Sequence, residues 1–383
     1  MSRKKLVKSK RKKILRALLV LFLIYAIWLS FNLLRFKTYT SLILKTSPLE
    51  IEGVYHIHTK FSDGRSHVDK IVKRASLASL DFIILTDHGN PNHESFSSQG
   101  WKEGVLVLAG SELSVSRGHL VALDFRLPPR PFSQITKNAV YEIHSSGGFS
   151  IIAHPYSKVQ WSWGEFIDYS GIEIINGDTM AKKNIIFSLP YIPGLLIKPN
   201  YTLLKMLDNP ERNLRKWDAL GELHQIYGYF AADAHLFYRP LFRLLKLHLL
   251  LERPLSADFE TAKNQVYGAL RKGRFYNAVD AAAHANGFMF WGEKGGEKIP
   301  MGNLAFLDSP ITLHINTPFP YAKEVHLIHN GEHILHSADE DISYSATQPG
   351  TYRVEVYLRE KTPLDEKIPW IVSNPIFLRK DRL

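Results

Sequence analysis

The sequence predicts an α/β fold with barrel-like closure, preceded by a transmembrane helix and followed by a small antiparallel β domain. Three observations support this architecture. Apolar runs of strand length alternate with amphipathic helical segments across residues 51–303. A charge-free apolar segment occupies residues 17–34, behind a basic arm. From residue 304 onward the apolar residues recur with a period of two, which is typical of antiparallel strands with one solvated face.

The composition restricts the chemistry available to this chain. Its 383 residues include no cysteine, which excludes disulfides, thiolate metal sites and cysteine nucleophiles. The formal net charge is +11, but nine Lys and Arg residues lie within residues 1–16. The rest of the chain is therefore close to neutral, and we expect no nucleic-acid partner.

Residues 17–34 predict a single transmembrane helix. As a helix these residues would rise about 27 Å, close to the thickness of a hydrocarbon core. A cleaved signal peptide is the alternative, but the run is long for one and no Ala-x-Ala site follows it. By the positive-inside rule, residues 1–16 form a basic cytoplasmic arm. After a tether at residues 35–50, the remaining chain is expected in the periplasm or outside the cell.

Several apolar runs between residues 51 and 303 predict strands that are buried on both faces, as in a parallel sheet covered by helices. Helical segments, among them residues 66–80, 133–148 and 259–274, fill the gaps, and Ser66 with Asp69 predicts a capping box. Parallel strands bring their carboxyl ends to one rim, so polar residues at those ends should gather there. The runs are GVYHIH, DFIILTDH, GVLVLAGSEL, GFSIIAHP, GIEIINGD and YFAADAH.

Residues 304–383 predict an antiparallel β-sandwich-like domain. Segments such as ITLHIN and TYRVEVYLR alternate with period two, and Asn330-Gly331 predicts a hairpin turn. We expect a packing or partner role for this domain. Its histidines are distributed over both faces of the predicted strands, which indicates a solvated surface rather than a second metal site. They are His314, His326, His329, His333 and His336.

The pair His56 and His58 raises the question of metal binding. Residues i and i+2 of a strand point to the same side, so two imidazoles can face one ion, although an ordinary strand surface shows the same spacing. Polar residues at later strand ends favour the metal, because burying them together without a cation would be costly. They are Asp87, His88, Glu112, His119, His154, Asp233 and His235.

The ordered motifs HIHTKFSDG, TDHG, GSELS with GHLVAL, AHP and DAH resemble those of the polymerase and histidinol phosphatase (PHP) superfamily, over roughly residues 53–300. The resemblance implies a distorted (β/α)7 barrel that binds two or three divalent ions. It assigns His56, His58, Glu112 and Asp233 to the first ion. Glu112 would also bridge to a second ion held by His119 and His154. A third ion would take Asp63, His88 and His235, although some members have a histidine in place of Asp63. His144 matches no motif and is interpreted as structural.

Nitrogen and oxygen ligands without thiolate fit zinc, manganese or iron. Closely spaced ions activate water and stabilise an in-line displacement, which is the chemistry of phosphoester hydrolysis. Asp233 would accept a proton from that water or act only as a ligand. Four basic residues near the motifs are predicted to bind the phosphoryl group, with solvated surface charges as the alternative. They are Lys60, Arg65, Arg117 and Arg239.

The sequence thus predicts a membrane-anchored, extracytoplasmic phosphoesterase for a phosphate mono- or diester, with no oligomeric state implied. Two alternatives stay open: hydrolysis of a carboxylic ester, amide or carbamate by the same metals, and a metal-stabilised surface binding module. The apolar segments at residues 187–201 and 236–253 could face the membrane, which would suit a lipid-linked substrate. For residues 236–253, a helix packed on the barrel is the other interpretation.

Overall fold

The computed structural model describes residues 3–35, 47–116, 118–157, 164–318 and 321–380. Its helices are α1 (Arg3–Arg35), α2 (Val68–Ser76), α3 (His93–Phe96), α4 (Thr136–Ser145), α5 (Gly177–Lys183), α6 (Ile185–Ser188), the 3-10 helix η1 (Leu189–Leu196), α7 (Pro199–Met206), α8 (Glu211–Leu223), α9 (Tyr238–Leu244) and α10 (Phe259–Arg271).

The strands of the first part of the chain are β1 (Glu50–Ile57), β2 (Phe82–Leu85), β3 (Gly100–Lys102), β4 (Val105–Ala109), β5 (Ser111–Val115), β6 (Gly118–Leu123), β7 (Phe149–Ala153), β8 (Gly171–Asn176), β9 (Tyr227–Ala231), β10 (Lys246–Leu250) and β11 (Phe275–Ala278). Those of the C-terminal part are β12 (Met289–Lys294), β13 (Glu297–Pro300), β14 (Leu304–Phe306), β15 (Ile311–Asn316), β16 (Lys323–His329), β17 (Glu332–Ser337), β18 (Asp341–Ala346), β19 (Gly350–Leu358), β20 (Ile371–Ser373) and β21 (Ile376–Arg379).

Eight strands of the first part form a ring that is mostly parallel: β1, β2, β4, β5, β6, β7, β8 and β9. Strands β1, β2 and β4 are parallel neighbours, as are β7, β8 and β9. Between these groups the chain passes from β4 into β5, and β6 pairs antiparallel with both β5 and β7. The ring closes where the backbone N–H of Ala234, just after β9, donates to the carbonyl of His56 in β1 at 3.1 Å. The predicted distorted α/β barrel is thus confirmed, with β6 as the antiparallel strand.

Two local predictions for the barrel are wrong. The capping box at Ser66 and Asp69 does not form, because α2 begins at Val68 with His67 as its N-cap and no side chain bonds to the cap. The Ser66 carbonyl instead accepts a hydrogen bond from the Lys60 backbone N–H at 3.0 Å, which closes the loop after β1.

Residues 236–253 are not one helix. They form α9 and then β10, which pairs antiparallel with both β1 and β11. The reason lies in the polar residues of β10. Lys246 and His248 point to one side of the strand and are buried against Glu52, Glu50 and Asp280, so they are interior ion pairs rather than the polar face of an amphipathic helix.

The C-terminal β region is mostly antiparallel, as the sequence predicts, although β14 and β21 pair in parallel. Strands β13, β12, β15 and β18 form a four-stranded sheet. Strand β19 pairs with β16, β20 and β21, and β20 pairs with β11 of the barrel, so one sheet continues from the barrel into this region. The predicted hairpin at Asn330-Gly331 joins β16 to β17. Strands β12 and β13 lie before residue 304, so the four-stranded sheet includes residues on both sides of the predicted domain boundary.

Helix α1 contains one segment, Lys10–Arg35, that is long and apolar enough to cross a membrane, with a mean hydropathy of 2.4 over its best window. A signal sequence near the N-terminus meets the same criterion. The last turns of α1 contact η1: the Tyr25 hydroxyl donates to the Pro190 carbonyl at 2.7 Å, and the rings of Trp28 and Tyr191 lie 5.3 Å apart. Leu33 is buried at this contact, where its side chain approaches Gly194.

Candidate metal centre

All nine predicted metal ligands meet at one rim of the barrel, where the parallel strands have their carboxyl ends. They belong to separate loops and strands that are far apart in the chain, and several groups of three or four of them have donor atoms within 4.8 Å of one another. The nine are His56, His58, Asp63, His88, Glu112, His119, His154, Asp233 and His235. The structure therefore brings the set together, while ligation of a metal stays a prediction.

Glu112 lies at the centre of the cluster, and its two oxygens face different imidazoles. Its Oε2 atom lies 3.1 Å from Nε2 of His56 and 3.1 Å from Nε2 of His58. Its Oε1 atom lies 2.8 Å from Nδ1 of His119 and 2.8 Å from Nε2 of His154. A carboxylate with one oxygen directed to each of two imidazole pairs has the geometry required to bridge two ions.

The predicted first group is completed by Asp233, which follows β9. Its Oδ1 atom lies 3.6 Å from Nε2 of His56 and 3.3 Å from Nε2 of His58. The predicted third group is more open. Asp63 Oδ2 lies 3.2 Å from Nε2 of His235 and 3.8 Å from Nε2 of His88, and the Asp63 side chain is 55% exposed.

Glu173 in β8 is a buried residue beside the cluster that the sequence interpretation missed. It is fully buried, and its Oε1 atom accepts hydrogen bonds from Nδ1 of His56 at 2.5 Å and from the Tyr55 hydroxyl at 2.5 Å. Its Oε2 atom accepts from the backbone N–H of His154 and from Asn176, both at 2.8 Å. Glu173 thereby holds Nε2 of His56 toward the cluster. The available signal was a charged residue inside the apolar run GIEIIN, where the interpretation considered only strand ends.

Asp87 positions the loop that follows β1. It accepts hydrogen bonds from the Thr59 backbone N–H at 2.6 Å and the Thr59 hydroxyl at 2.9 Å. The hydroxyls of Ser62 and Ser95 also donate to it, each at 2.7 Å. Asp87 is therefore occupied by the loop that carries Asp63 and is not directed at the cluster.

Three residues of the cluster have left-handed backbone conformations: His56, His154 and Asp233, with φ of 64°, 26° and 48°. Side chains with a Cβ rarely adopt such values, which cost about 1–3 kcal/mol each and concentrate at functional sites. The conformation redirects each side chain at the end of its strand. These unfavourable backbone conformations thus occur at strand ends, where they direct a donor atom toward the cluster.

Mutual neutralisation dominates the electrostatics of the cluster. Burial alone would raise the pKa of Glu112, but the surrounding imidazoles hold it well below its ordinary value. Burial alone would lower the pKa of His58, but Asp233 and Glu112 raise it to about 9. The pKa of His56 is likewise raised well above its ordinary value, against the effect of burial, by Glu173, Asp233 and Glu112. The buried carboxylates thus stabilise positive charge in the cluster, which protons or divalent ions can supply.

The donor atoms fit divalent metal ions. Nε2 of His58 is buried between Glu112 and Asp233 yet makes no hydrogen bond of acceptable geometry within the described parts of the chain. A buried nitrogen without a hydrogen-bond partner, beside two carboxylates, fits the role of a metal ligand. Imidazole and carboxylate donors suit zinc, manganese or iron.

A cavity of about 500 Å³ opens onto the cluster. One wall is α5, whose Asp178, Thr179, Lys182 and Lys183 line it together with the metal-ligand candidates. Lys182 forms an ion pair with Asp178, and Lys183 with Asp208. Both lysine side chains are about two-thirds exposed, so they remain accessible to an anion in the cavity.

The predicted phosphate-binding residues are placed differently. Among the described residues, Lys60, Arg65 and Arg239 are not part of the lining of this cavity. Lys60 and Arg65 are exposed on the loop after β1, and Arg239 is half-buried in α9. Arg117 lies outside the described residues. That these four residues contact the substrate stays a prediction. The sequence interpretation missed Lys182 and Lys183, because they follow a strand whose end carries no recognised motif.

Comparison with known proteins finds a family match for part of the chain. Residues 55–181 match the family model described as PHP domain. A protein of Methanocaldococcus jannaschii, described as uncharacterized, is 27% identical over 157 residues, which is 35% of this chain and 91% of the relative. The match bears out the resemblance to the PHP superfamily over these residues.

Two solved structures are similar in part. One is a two-domain protein of Bacteroides vulgatus containing a predicted PHP-like metal-dependent phosphoesterase, 14% identical with a TM-score of 0.41 over 88% of this chain and 99% of that one. The other is an amidohydrolase of Chromobacterium violaceum, 17% identical with a TM-score of 0.30 over 48% of this chain and 87% of that one.

Proposed function

We propose that this chain, whose residues 55–181 match the PHP domain model, is a membrane-anchored, metal-dependent phosphoesterase that acts outside the cytoplasm. The observation that carries the proposal is the convergence of nine nitrogen- and oxygen-donor side chains on Glu112, beside a cavity with two lysines on one wall. A structural metal site would be closed by its ligands, whereas this cluster opens onto a space large enough for a substrate.

Two or three divalent ions, zinc, manganese or iron, are proposed to be held by the ligand groups that the sequence predicts. When bound, such ions supply a hydroxide near neutral pH and positive charge for the oxygens of an in-line displacement. Glu112 would be a ligand shared between the ions, because each of its two oxygens faces a different set of imidazoles. Asp233 is placed beside the same donors and accepts a proton from the attacking water.

The phosphoryl group is proposed to bind between the cluster and α5. Lys182 and Lys183 supply cationic side chains there, and a cationic wall favours a phosphate ester over a neutral carboxylic ester. Lys60, Arg65, Arg117 and Arg239 remain proposed contacts for more distant parts of the substrate.

We also propose that α1 is retained as an anchor rather than cleaved. Its contacts with η1, through Tyr25, Trp28 and Leu33, bury part of α1 against the catalytic region, and such packing is not expected of a signal peptide that is removed. By the positive-inside rule, the basic residues in the first half of α1 would then leave the barrel on the extracytoplasmic side.

The substrate is proposed to be a phosphate ester carried by a lipid. The segment 184–197, directly after α5, has no charged residue. Its side chains Ile186, Phe187 and Leu196 are 72%, 81% and 91% exposed. Because the segment contacts α1, it would lie at the membrane surface with its apolar side chains in the lipid. Because this segment follows α5, which forms one wall of the cavity, a lipid bound there would carry its phosphate close to the cavity.

Hydrolysis assays on the full chain in detergent test the chemistry. The protein, loaded with manganese or zinc, is given an aryl phosphomonoester, a phosphodiester and a carboxylic ester, with Asp233→Asn as the blank. We expect turnover of a phosphate probe that Asp233→Asn abolishes. Turnover of the carboxylic ester alone would establish the ester and amide alternative. Metal binding without turnover of any probe would favour the binding module.

The absence of cysteine allows a direct test of the membrane contact. Phe187→Cys and, as control, the similarly exposed Tyr141→Cys on α4 are labelled with an environment-sensitive fluorophore in phosphatidylcholine vesicles. Lipids with a nitroxide on the acyl chain should quench the label at 187 and not at 141. Equal accessibility of both labels to water would contradict the placement, whatever the enzyme assay shows.

Phe187→Glu then tests the lipid-linked substrate. Hydrolysis of phosphatidic acid in phosphatidylcholine vesicles should fall about tenfold or more, while hydrolysis of a soluble aryl phosphate should not change. If the unaltered protein does not hydrolyse phosphatidic acid, the natural substrate is a soluble phosphate instead.

A further inference from the structure

Three histidines of the C-terminal region meet on the hairpin β16–β17, away from the barrel strands. They are His326, His333 and His336, and one ring nitrogen of each lies within 4.8 Å of those of the other two. Nδ1 of His326 is 3.0 Å from Nδ1 of His333. This arrangement overturns the expectation that the histidines of this region are distributed over both strand faces without a second cluster.

A β-bulge produces the cluster. In β17, residues 333 and 336 differ by an odd number, so regular pleating would direct them to opposite faces. The register shifts between Leu327 and Ile328, which pair with Leu335 and His333, so Ile334 is an extra residue on β17. His336 pairs with His326, and His333 pairs with Ile328, which lies two residues further along the same face of β16. The bulge thus returns His333 to the side of the other two histidines.

Glu324 prepares His326 to act as a ligand. Its Oε1 atom accepts a hydrogen bond from Nε2 of His326 at 2.7 Å, and its Oε2 atom is paired with Arg359. With the proton of His326 held on Nε2, the Nδ1 atom that faces His333 keeps its lone pair. A carboxylate behind a histidine in this way is the usual support of a metal-ligating imidazole.

The exposure of the cluster also suits an ion from solution. His326 is largely buried, whereas the side chain of His336 is 52% exposed, so an ion has a path to the three nitrogens. Oε1 of Glu324 lies 3.3 Å from Nδ1 of His336. This contact leaves Nε2 of His336 available as a ligand atom. Three imidazoles, with water as a fourth ligand, form a tetrahedral set that zinc accepts.

We propose that His326, His333 and His336 form a second metal site, for one zinc-like divalent ion, that clamps the β16–β17 hairpin. The ion would join two strands across the bulge, where the regular hydrogen-bond ladder is interrupted. This site is independent of the proposed enzyme activity, since none of its residues belongs to the barrel cluster.

Metal stoichiometry of the full chain tests the proposal. Protein stripped with a chelator is titrated with zinc against a chromophoric competitor, and the double variant His333→Ala/His336→Ala is compared with His314→Ala, a histidine of β15 outside the cluster. We expect the double variant to bind one equivalent less than the unaltered protein, and His314→Ala to bind the same number. Equal stoichiometry in all three proteins would overturn the proposal.

Hydrogen exchange locates the ion. Zinc should slow amide exchange of residues 323–337 in the unaltered protein and in His314→Ala, and not in the double variant. Glu324→Gln should weaken zinc binding at this site about 10- to 100-fold while the hairpin remains folded. If zinc leaves exchange of the hairpin unchanged in the unaltered protein, the additional equivalent binds elsewhere and the proposal is wrong.

Discussion

Oε1 of Glu173 lies 2.5 Å from Nδ1 of His56, and both side chains are completely buried. This contact decides which nitrogen of His56 faces the cluster, because the proton on Nδ1 is committed to Glu173. A residue in the middle of β8 thereby controls a donor atom at the end of β1.

Replacing Glu173 should therefore weaken metal binding more than it alters the fold of the site. For Glu173→Gln we expect about a 10- to 100-fold loss of affinity for the ion held by His56. Competition with a chromophoric chelator measures the affinity, and Glu142→Gln, which removes a carboxylate on α4, is the control. Unchanged affinity in Glu173→Gln would show that the hydrogen bond does not orient His56.

Lys182 should contribute to substrate binding through its charge. Lys182 lines the cavity, and among the described residues its ion pair is with Asp178 and not with a metal-ligand candidate. Lys182→Ala should therefore raise KM for a phosphate ester about tenfold, with a smaller effect on kcat. Lys182→Arg should retain most of the binding. The exposed Lys137→Ala on α4 is the control, and steady-state kinetics on an aryl phosphate is the measurement. A loss confined to kcat would contradict a binding role.

A buried ion pair contributes to the contact between α8 and the C-terminal sheet. Arg353 of β19 donates to both oxygens of Asp218, at 2.6 Å and 2.8 Å. Asp218→Ala leaves the buried guanidinium short of a partner, so the free energy of unfolding should fall by about 3–5 kcal/mol. Arg215→Ala, which breaks an exposed pair with Glu211 on the same helix, should cost about 0.5 kcal/mol or less. Denaturant unfolding of both variants makes the comparison.

A small effect of Asp218→Ala would mean that Glu355, the other carboxylate paired with Arg353, suffices to hold it.

The ion pairs of β10 predict a loss of stability at alkaline pH. Burial alone would lower the pKa of His248, but Asp280 and Glu50 raise it from 6.5 to about 10, with Glu52 and Lys246 in the same cluster. A raised pKa contributes stability that is fully present below about pH 6.5 and is lost as the pH rises toward 10.

Unfolding of the metal-loaded chain at pH 6.5, 8 and 9.5 measures this contribution when compared with His248→Gln, which cannot carry the charge. We expect the stability difference between the two proteins to shrink steadily as the pH rises. A difference that is constant over this range would show that His248 is neutral in the folded protein.

Much of the site could be predicted because its residues stand at the ends of apolar runs. The carboxyl ends of neighbouring barrel strands meet at one rim whatever the details of packing, so His56, Glu112 and Asp233 are brought together by topology alone. Glu173 could not be found in this way. Its position inside a strand acquires meaning only from the ring of His56, which the closure of the barrel places beside it.

The predictions for the segment that contains β10 and for the C-terminal histidines were wrong for a related reason. Lys246 and His248 resemble the polar face of a helix until their partners Glu52 and Asp280, which lie far away in the chain, are known. The faces of His333 and His336 follow from a register shift that leaves no mark in the local pattern. Such a shift is determined by how the two strands pair, and not by the sequence of either strand alone.

By itself, the sequence determined the α/β class, the apolar N-terminal helix and the nine polar residues of the cluster, because apolar periodicity and strand-end position are local properties. The tertiary structure alone decided the orientation of His56 by Glu173, the lysines of α5 on the cavity wall and the contact of α1 with η1. These features depend on pairs of residues distant in the chain, whose proximity is set only when strands pair and helices pack.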